Sequence, residues 1–547
     1  MINFKNRNLT TWLCALMCLG VNLLAGCGSQ SAALNQSDIV HTETAQTQSV
    51  QAEAKNKTNV EQPNVIIIVA DQMRRASLSL WQQPEFKNAL LGTSDYVFTP
   101  NLDKLAQQGA VFNQAIANYP LCSPFRGMLL SGRFPNNNGV TNNTRIDRPN
   151  VGLRLDITTL TEVLAQKGYN TALVGKGHWN NNLPLMNNKN EYVGTTEAPG
   201  GHFLQGTKYD SYIPPGPARQ GIEYWYQSIG HNHKSPLVYT NDTYLSKGKR
   251  DGQPFYPRVY SAVDQANVII DYIDNSRAQR DNSKPFSLIW TMDPPHSPYK
   301  QMSDTDEGIY NKYYKDVAIE TLLNRPNVDI ARAEKFARYH FSMVTLVDRE
   351  IGRVIEKLKA QGLDKNTLIV FTADHGEMMG SHRLMTKNFA YEESIGIPLI
   401  VTLDNRIKPH INDLLIGVPD FMPTILGLLN LDDAIPSDLD GVDYSDLLIA
   451  TDNQPAKPLS SLYYGQSSQL GVRTDQYLYV LDKAGKIMNL FDIKQDPYQL
   501  TPLTPEQIPV ADLLFLQQQL GYWLDKIKHE WAIEKRFPHH VIYPSQI

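Results

Sequence analysis

The chain has 547 residues, is 41% hydrophobic and 20% charged, and carries a formal net charge of -5. That balance excludes a collagen-like or wholly disordered chain and a mini-protein, and the mild acidity argues against nucleic acid as a main partner. Only four cysteines occur, so the chain is no disulfide scaffold.

In chain order, Lys5 and Arg7 precede an apolar stretch, TWLCALMCLGVNLLAG, which runs up to Cys27. The stretch is short and interrupted for a membrane span, and residues 1–26 read as a signal peptide. Leu24-Ala25-Gly26-Cys27 resembles a bacterial lipoprotein box. The resemblance implies cleavage before Cys27, lipidation of its thiol, and stable anchoring by several acyl chains at the cell envelope. Gly28, where an Asp would signal inner-membrane retention, favours the outer membrane. An ordinary secretory signal cut nearby is the competing reading. Cys14 and Cys18 fall inside the signal, which leaves Cys122 as the one unlipidated cysteine of the mature chain. Residues 27–62 are rich in Gln, Ser, Thr, Asn and Ala, bury too little apolar surface to offset ordering entropy, and read as a flexible tether.

The body, residues 63–454, opens with PNVIIIVADQ. The β-branched run from Asn64 to Ala70 predicts a strand buried on both faces, with Asp71 and Gln72 at its carboxyl end, where ligands bind in open α/β sheets. TPNLDKLAQQGA and TLTEVLAQKGYN predict helices, TALVG and KPFSLIWTM strands. Residues 333–360 carry an apolar stripe at three-four spacing and predict a long amphipathic helix. NTLIVFTADHG is a further buried strand with Asp374 and His375 at its exit, and IPLIVTL follows as another. The alternation predicts a large, mostly parallel sheet with helices on both faces. Residues 180–260 show no clear periodicity and read as a long functional insert. From 455 to 547, short alternating strands and a helix near 505–530 predict a small antiparallel α+β subdomain.

The segment that carries most chemistry is Cys122-Ser123-Pro124-Phe125-Arg126, continuing as GMLLSGR. It resembles the signature of the sulfatase family, formylglycine-dependent enzymes of the alkaline phosphatase superfamily. Companion segments in family order are VIIIVADQ, GYNTALVGKGHW, KPFSLIWTMDPPHSPY, FTADHGEMMGSHRLMTK and NLFDIKQDPYQL, covering residues 63 to about 500. The resemblance implies that Cys122 is converted to formylglycine (3-oxoalanine) by a separate maturation enzyme, which also accounts for a lone cysteine. It implies one divalent cation held by Asp71, Gln72, Asp374, His375 and an oxygen of the modified Cys122. The largely oxygen donor set favours calcium, with manganese or magnesium second.

The same resemblance assigns roles. A hydroxyl of the aldehyde hydrate attacks sulfur, and the second hydroxyl allows sulfate to leave by elimination, which serine cannot do. Arg126 and Lys176 neutralise and orient the nucleophile, and His178 assists elimination. His296 and Lys387 contact the sulfate, and one of them protonates the leaving oxygen. Several positions depart from the commonest family pattern: Gln72 for Asp, His375 for Asn, Phe125 for a small residue, and the placement of Trp179. Gln with His occurs in some sulfatases and also in related phosphodiester and phosphonate hydrolases using the same modified residue.

Anchoring on a long tether suits a substrate too large to import, so the principal expectation is sulfate ester hydrolysis on a sulfated polysaccharide or its oligosaccharides, in polysaccharide degradation. His382, Arg383, Trp179 and His233 are candidate substrate-binding residues, with His202, Arg219, Trp225, His231 and Tyr299 behind them. The alternatives are a phosphodiester or phosphonate hydrolase and, from a different class, a non-catalytic lipoprotein that binds sulfated glycan.

Overall fold

The computed structural model describes residues 62–145, 148, 150–180, 212–449, 455–465 and 469–533. The signal segment, Cys27, almost all of the tether, and His202 lie outside the described residues. Among the described residues no helix is long and apolar enough to cross a membrane.

The main sheet has nine strands in the order β5-β4-β3-β6-β1-β7-β8-β2-β9. These are β1 Asn64–Ala70, β2 Ala110–Phe112, β3 Asn170–Lys176, β4 Tyr224–Ile229, β5 Leu237–Thr240, β6 Phe286–Met292, β7 Thr367–Ala373, β8 Leu399–Thr402 and β9 His410–Asn412. The central β1 is buried along its whole length and pairs in parallel with β6 and β7. Its β-branched side chains suit a strand covered on both faces. β3 joins β6, and β4 joins β3, also in parallel. The sheet is flanked by helices: α1 Pro100–Ala106, α2 Cys122–Ser131, α3 Leu160–Gln166, α4 Ser261–Asp274, α5 Ile330–Ala360 and α6 Phe421–Leu428. α5 buries the apolar stripe that includes Phe341, Val344, Ile351 and Leu358. From the same helix, the Asp348 carboxylate accepts the backbone N–H groups of Asn101 and Leu102 at the start of α1. α3 begins with a reciprocal capping box between Thr159 and Glu162.

Two expectations differ in detail. The IPLIVTL strand, β8, runs antiparallel to β7. An antiparallel return needs no crossover helix, and only a loop with one short helical turn separates the two strands. The stretch 180–260 is not featureless, because β4 and β5 form one edge of the sheet as an antiparallel pair. Every residue of β4 is buried, so it shows no polar-apolar alternation, and its Tyr, Gln and Ser side chains conceal it from a hydrophobicity reading. Gln227 belongs inside because its side-chain oxygen accepts the Ile213 N–H at 3.0 Å.

Near the C-terminus a four-stranded antiparallel sheet follows: β10 Ser460–Tyr464, β11 Gln469–Thr474, β12 Tyr477–Asp482 and β13 Ile487–Asp492. Helix α7, Val510–Lys526, packs on it, with Trp523 Nε1 donating to Ser460 Oγ at 2.9 Å.

Candidate active site

Strand register delivers the site. Ala70 lies beside Ala373 on one side and Met292 on the other. The residues that follow, Asp71, Asp374 and Asp293, therefore emerge at one carboxyl edge, joined by Lys176 at the end of β3. A close approach supports this edge. Gly175 has φ +112, and a Cβ there would lie 1.9 Å from the Thr291 carbonyl oxygen, so only glycine fits. Cys122 is the first residue of α2, so its sulfur sits at the electropositive helix start.

The ligand atoms of Asp71, Cys122, Asp374 and His375 lie within 4.8 Å of one another, all buried. Cys122 Sγ is 3.3 Å from His375 Nε2 and 3.9 Å from Asp71 Oδ1. Arg126 Nη2 donates to Asp71 Oδ2 and Asp374 Oδ2, each at 3.3 Å, and its Nη1 to the Lys176 carbonyl at 3.0 Å. Lys176 Nζ reaches Asp71 Oδ2 at 2.9 Å. His178 hydrogen-bonds the Cys122 sulfur. Lys387 Nζ donates to Gln72 Oε1 at 2.8 Å and to His296 Nε2 at 2.6 Å. The catalytic and metal-ligating positions read from the sequence thus fall together: Asp71, Gln72, Cys122, Arg126, Lys176, His178, His296, Asp374, His375 and Lys387 form one largely buried cluster. Gln72 and His178 adopt left-handed backbone, φ 69° and 59°. Each such non-glycine conformation costs on the order of 1–3 kcal/mol and is typical of functional sites.

The electrostatics follow from packing so many charges away from water. Burial pushes the Asp71 carboxyl up, and Cys122 adds to that, but Lys176, His296 and His375 outweigh both and hold it far below the ordinary carboxylate range. Burial and then the Asp71 carboxylate push Asp374 up to about 6. Burial opposes charge on His375 too, yet Asp374 raises it above its ordinary value. Burial, then Lys387 and His231, lower His296 to about 3. For the Cys122 thiol, burial acts upward, but Lys176, Lys387 and His375 draw it well below the thiol range.

This donor set fits a hard divalent cation. Two carboxylates share one buried corner, and the cost appears as the raised Asp374. His375 Nδ1 faces the Gly376 carbonyl at 3.0 Å, which places its proton there and leaves Nε2 turned toward the carboxylates. Gln72 adjoins this corner through its backbone N–H, which donates to Asp374 Oδ1 at 3.0 Å, and its amide oxygen accepts from Lys387 Nζ.

The residues expected to bind substrate do not gather there as a group. Trp179 is 2% exposed; its indole donates to the Ala218 carbonyl and meets Trp225 edge-on, so it packs the core. Arg219 lies over the Trp225 ring and pairs with Asp251. His233 is buried and its Nε2 bonds the His296 carbonyl at 2.8 Å, bracing the loop that carries His296. His382 stacks on Tyr391 and bonds Asn327. Arg383 is exposed and pairs with Asp329. Tyr299 is buried, and its hydroxyl donates to Glu377 at 3.1 Å. His231, by contrast, stacks on His296 with centroids 4.1 Å apart and is held by Asp293 at 3.5 Å.

Sequence reasoning passed over Asp293 and Glu377. Asp293 follows a central strand just as Asp71 and Asp374 do, so the sheet-edge rule could have found it. Glu377 follows the Asp374-His375-Gly376 turn, and only its burial marks it.

Comparison with known proteins agrees with this geometry. A family model described as Sulfatase matches residues 63–431, and one described as N-sulphoglucosamine sulphohydrolase, C-terminal, matches residues 380–520. The chain is 36% identical over 504 residues to an endo-4-O-sulfatase of Bacteroides thetaiotaomicron, covering 87% of this chain and 94% of the relative. It is 29% identical over 454 residues to an ulvan-active sulfatase of Formosa agariphila, covering 80% and 76%. A solved structure from work on the metabolism of multiple glycosaminoglycans by Bacteroides thetaiotaomicron superposes with a TM-score of 0.81 at 35% identity, covering 88% of this chain and all of that one.

Proposed function

The chain belongs to the sulfatase family and is a sulfuric ester hydrolase, and from that premise we propose that it removes sulfate from a sulfated polysaccharide or its oligosaccharides, using Cys122 in its formylglycine form. The observation that carries the reading is Cys122 at a helix start, set against Asp71, Asp374 and His375 and ringed by Arg126, Lys176, His178, His296 and Lys387. The named relatives are described as an endo-4-O-sulfatase and an ulvan-active sulfatase, which supports the carbohydrate class.

In this reading the Cys122 sulfur marks where the modified residue's oxygens lie. Asp71, Gln72, Asp374 and His375 would hold one divalent cation, calcium by its affinity for oxygen donors. When bound, the cation and the formylglycine hydrate together supply an acidified hydroxyl nucleophile and neutralise the sulfate charge. Lys176 and Arg126 hold Asp71 ionised and orient it toward position 122. His178 receives a proton from the same position when sulfate departs. His296 donates Nδ1–H to the Ser297 carbonyl at 2.7 Å, so its Nε2 is an acceptor for the Lys387 ammonium. Lys387 is therefore the group that carries the proton for the leaving oxygen, and His296 fixes its aim. Lipid anchoring through Cys27 at the outer membrane, and maturation by a formylglycine-generating enzyme, belong to the same proposal.

The test is sulfate release by the chain co-produced with a formylglycine-generating enzyme. The panel comprises defined sulfated oligosaccharides, an aryl sulfate and a phosphodiester, with Cys122→Ala as control. Release from one sugar class, lost in the control, is expected. Turnover of the phosphodiester with every sulfate ester untouched would overturn the reading.

A further inference from the structure

We propose that Glu377 is a positioning residue that decides which end of the Gln72 amide faces the metal corner. The inference rests on the reading of Gln72 Oε1 as a metal donor. An amide has two ends of nearly equal size, one accepting and one donating, related by a simple flip. A ligand site that uses glutamine must therefore exclude the flipped form, which would aim N–H groups at a cation.

Glu377 does this through acceptor-only chemistry. Its Oε2 accepts one Gln72 Nε2 hydrogen and, at 3.1 Å, the Tyr299 hydroxyl. Its Oε1 accepts the backbone N–H of Met379 at 2.8 Å and of Thr386 at 2.7 Å. Four donors thus fix the carboxylate, and no part of Glu377 or Gln72 is exposed to solvent. At the other end of the amide, Lys387 Nζ donates to Oε1 at 2.8 Å. Lys387 directly follows Thr386, so one loop presents an acceptor to the nitrogen end and a donor to the oxygen end. Gln72 Nε2 also lies 3.5 Å from the Tyr299 oxygen, whose own hydrogen goes to Glu377, and with water excluded a wrongly set end of the amide forfeits a buried hydrogen bond.

The geometry makes a charge-swap prediction. Glu377→Gln places one NH2 against another, and the Gln72 amide relieves the conflict by flipping its own NH2 toward Lys387 and the metal corner. Gln72→Glu in the native background sets two buried carboxylates against each other. The double variant Gln72→Glu/Glu377→Gln restores complementarity, because the carboxylate then at position 72 offers one oxygen to the amide at position 377 and the other to the metal corner.

The test is calcium binding to the full chain after stripping with chelator, followed by titration calorimetry and by the calcium-induced rise in Tm. Each single variant is expected to weaken calcium by about 10-fold or more, the range seen when outer partners of metal ligands are lost. The double variant is expected to recover most of that loss, a coupling that a purely structural cap for Met379 and Thr386 would not produce. Native-like calcium affinity in Glu377→Gln, or a double variant as weak as the two single losses combined, overturns the proposal. Should Glu377→Gln fail to fold, Gln72→Glu alone decides. An added carboxylate ordinarily tightens calcium, so tighter binding refutes the proposal and weaker binding upholds it. Asp374→Asn is the control for the underlying reading: if that variant still binds calcium at this site, the metal assignment itself fails, whatever Glu377 does.

Discussion

Asp374→Asn separates the stability of the site from its function. In the metal-free protein the Asp374 carboxyl is displaced from 3.8 to about 6, by burial first and by the Asp71 carboxylate second. A raised carboxylate means that the folded state holds its proton at pH values where the unfolded chain has released it. Stability carried by this group is therefore complete below about pH 4 and lost as pH rises through about 6. At roughly 1.4 kcal/mol per pH unit of displacement, the loss is about 3 kcal/mol. Asparagine cannot ionise and escapes it. The substitution also turns an N–H toward Arg126, whose Nη2 lies 3.3 Å from the native oxygen, but that penalty is the same at every pH. The measurement is chemical denaturation of both proteins in chelator from pH 4 to pH 8. The gap in unfolding free energy between variant and native is expected to move in the variant's favour by about 3 kcal/mol over that range. Saturating calcium is expected to stabilise the native protein at pH 8 and leave the variant unmoved. Parallel profiles from pH 4 to 8 would refute the claim that two crowded carboxylates make this corner a cation site.

Lys387→Ala is expected to lower kcat by about 10²–10⁴-fold on sugar sulfates, and far less on an aryl sulfate whose phenolate leaves without a proton. Equal losses on both would remove Lys387 from leaving-group protonation. Trp179→Ala is expected to cost about 3–5 kcal/mol in denaturant stability through its buried indole, with KM unchanged; a KM effect without a stability loss would return it to the substrate. Burial raises the Glu392 carboxyl, but Arg473 and Arg75 overcome it and hold it down at about 2, from 4.5. Its stabilisation is therefore present above about pH 4.5 and lost as pH falls through about 2. Glu392→Gln is expected to lose about 3 kcal/mol at pH 7, with the difference shrinking toward pH 3 in acid-denaturation curves.

What the sequence determined by itself was local. The β-branched run ending in Asp71, the strand ending in Asp374 and His375, and the spacing around Cys122 each fit within a dozen residues, and each lands where its pattern places it. Strand period and carboxyl-edge position need no knowledge of distant partners, which is why Asp71, Asp374 and His375 stood out, while the roles proposed for them and for Cys122 came from the family resemblance. Tertiary structure alone decided where the remaining side chains point. Trp179 follows His178 of the buried cluster yet turns into the core against Trp225, and His382 lies between His375 and Lys387 yet stacks on Tyr391. Left-handed backbone at His178 and His382 redirects the chain within one residue, and no periodicity registers that. β4 escaped notice because a strand buried on both faces can carry Gln and Tyr when neighbours satisfy them. Glu377 gains meaning only from a partner 305 residues away, Gln72, whereas Asp293 sits at a strand end that the sequence marks and only its pairing with His231 comes from the fold. A carboxylate in a sequence is a surface charge until the fold removes its water and supplies its donors.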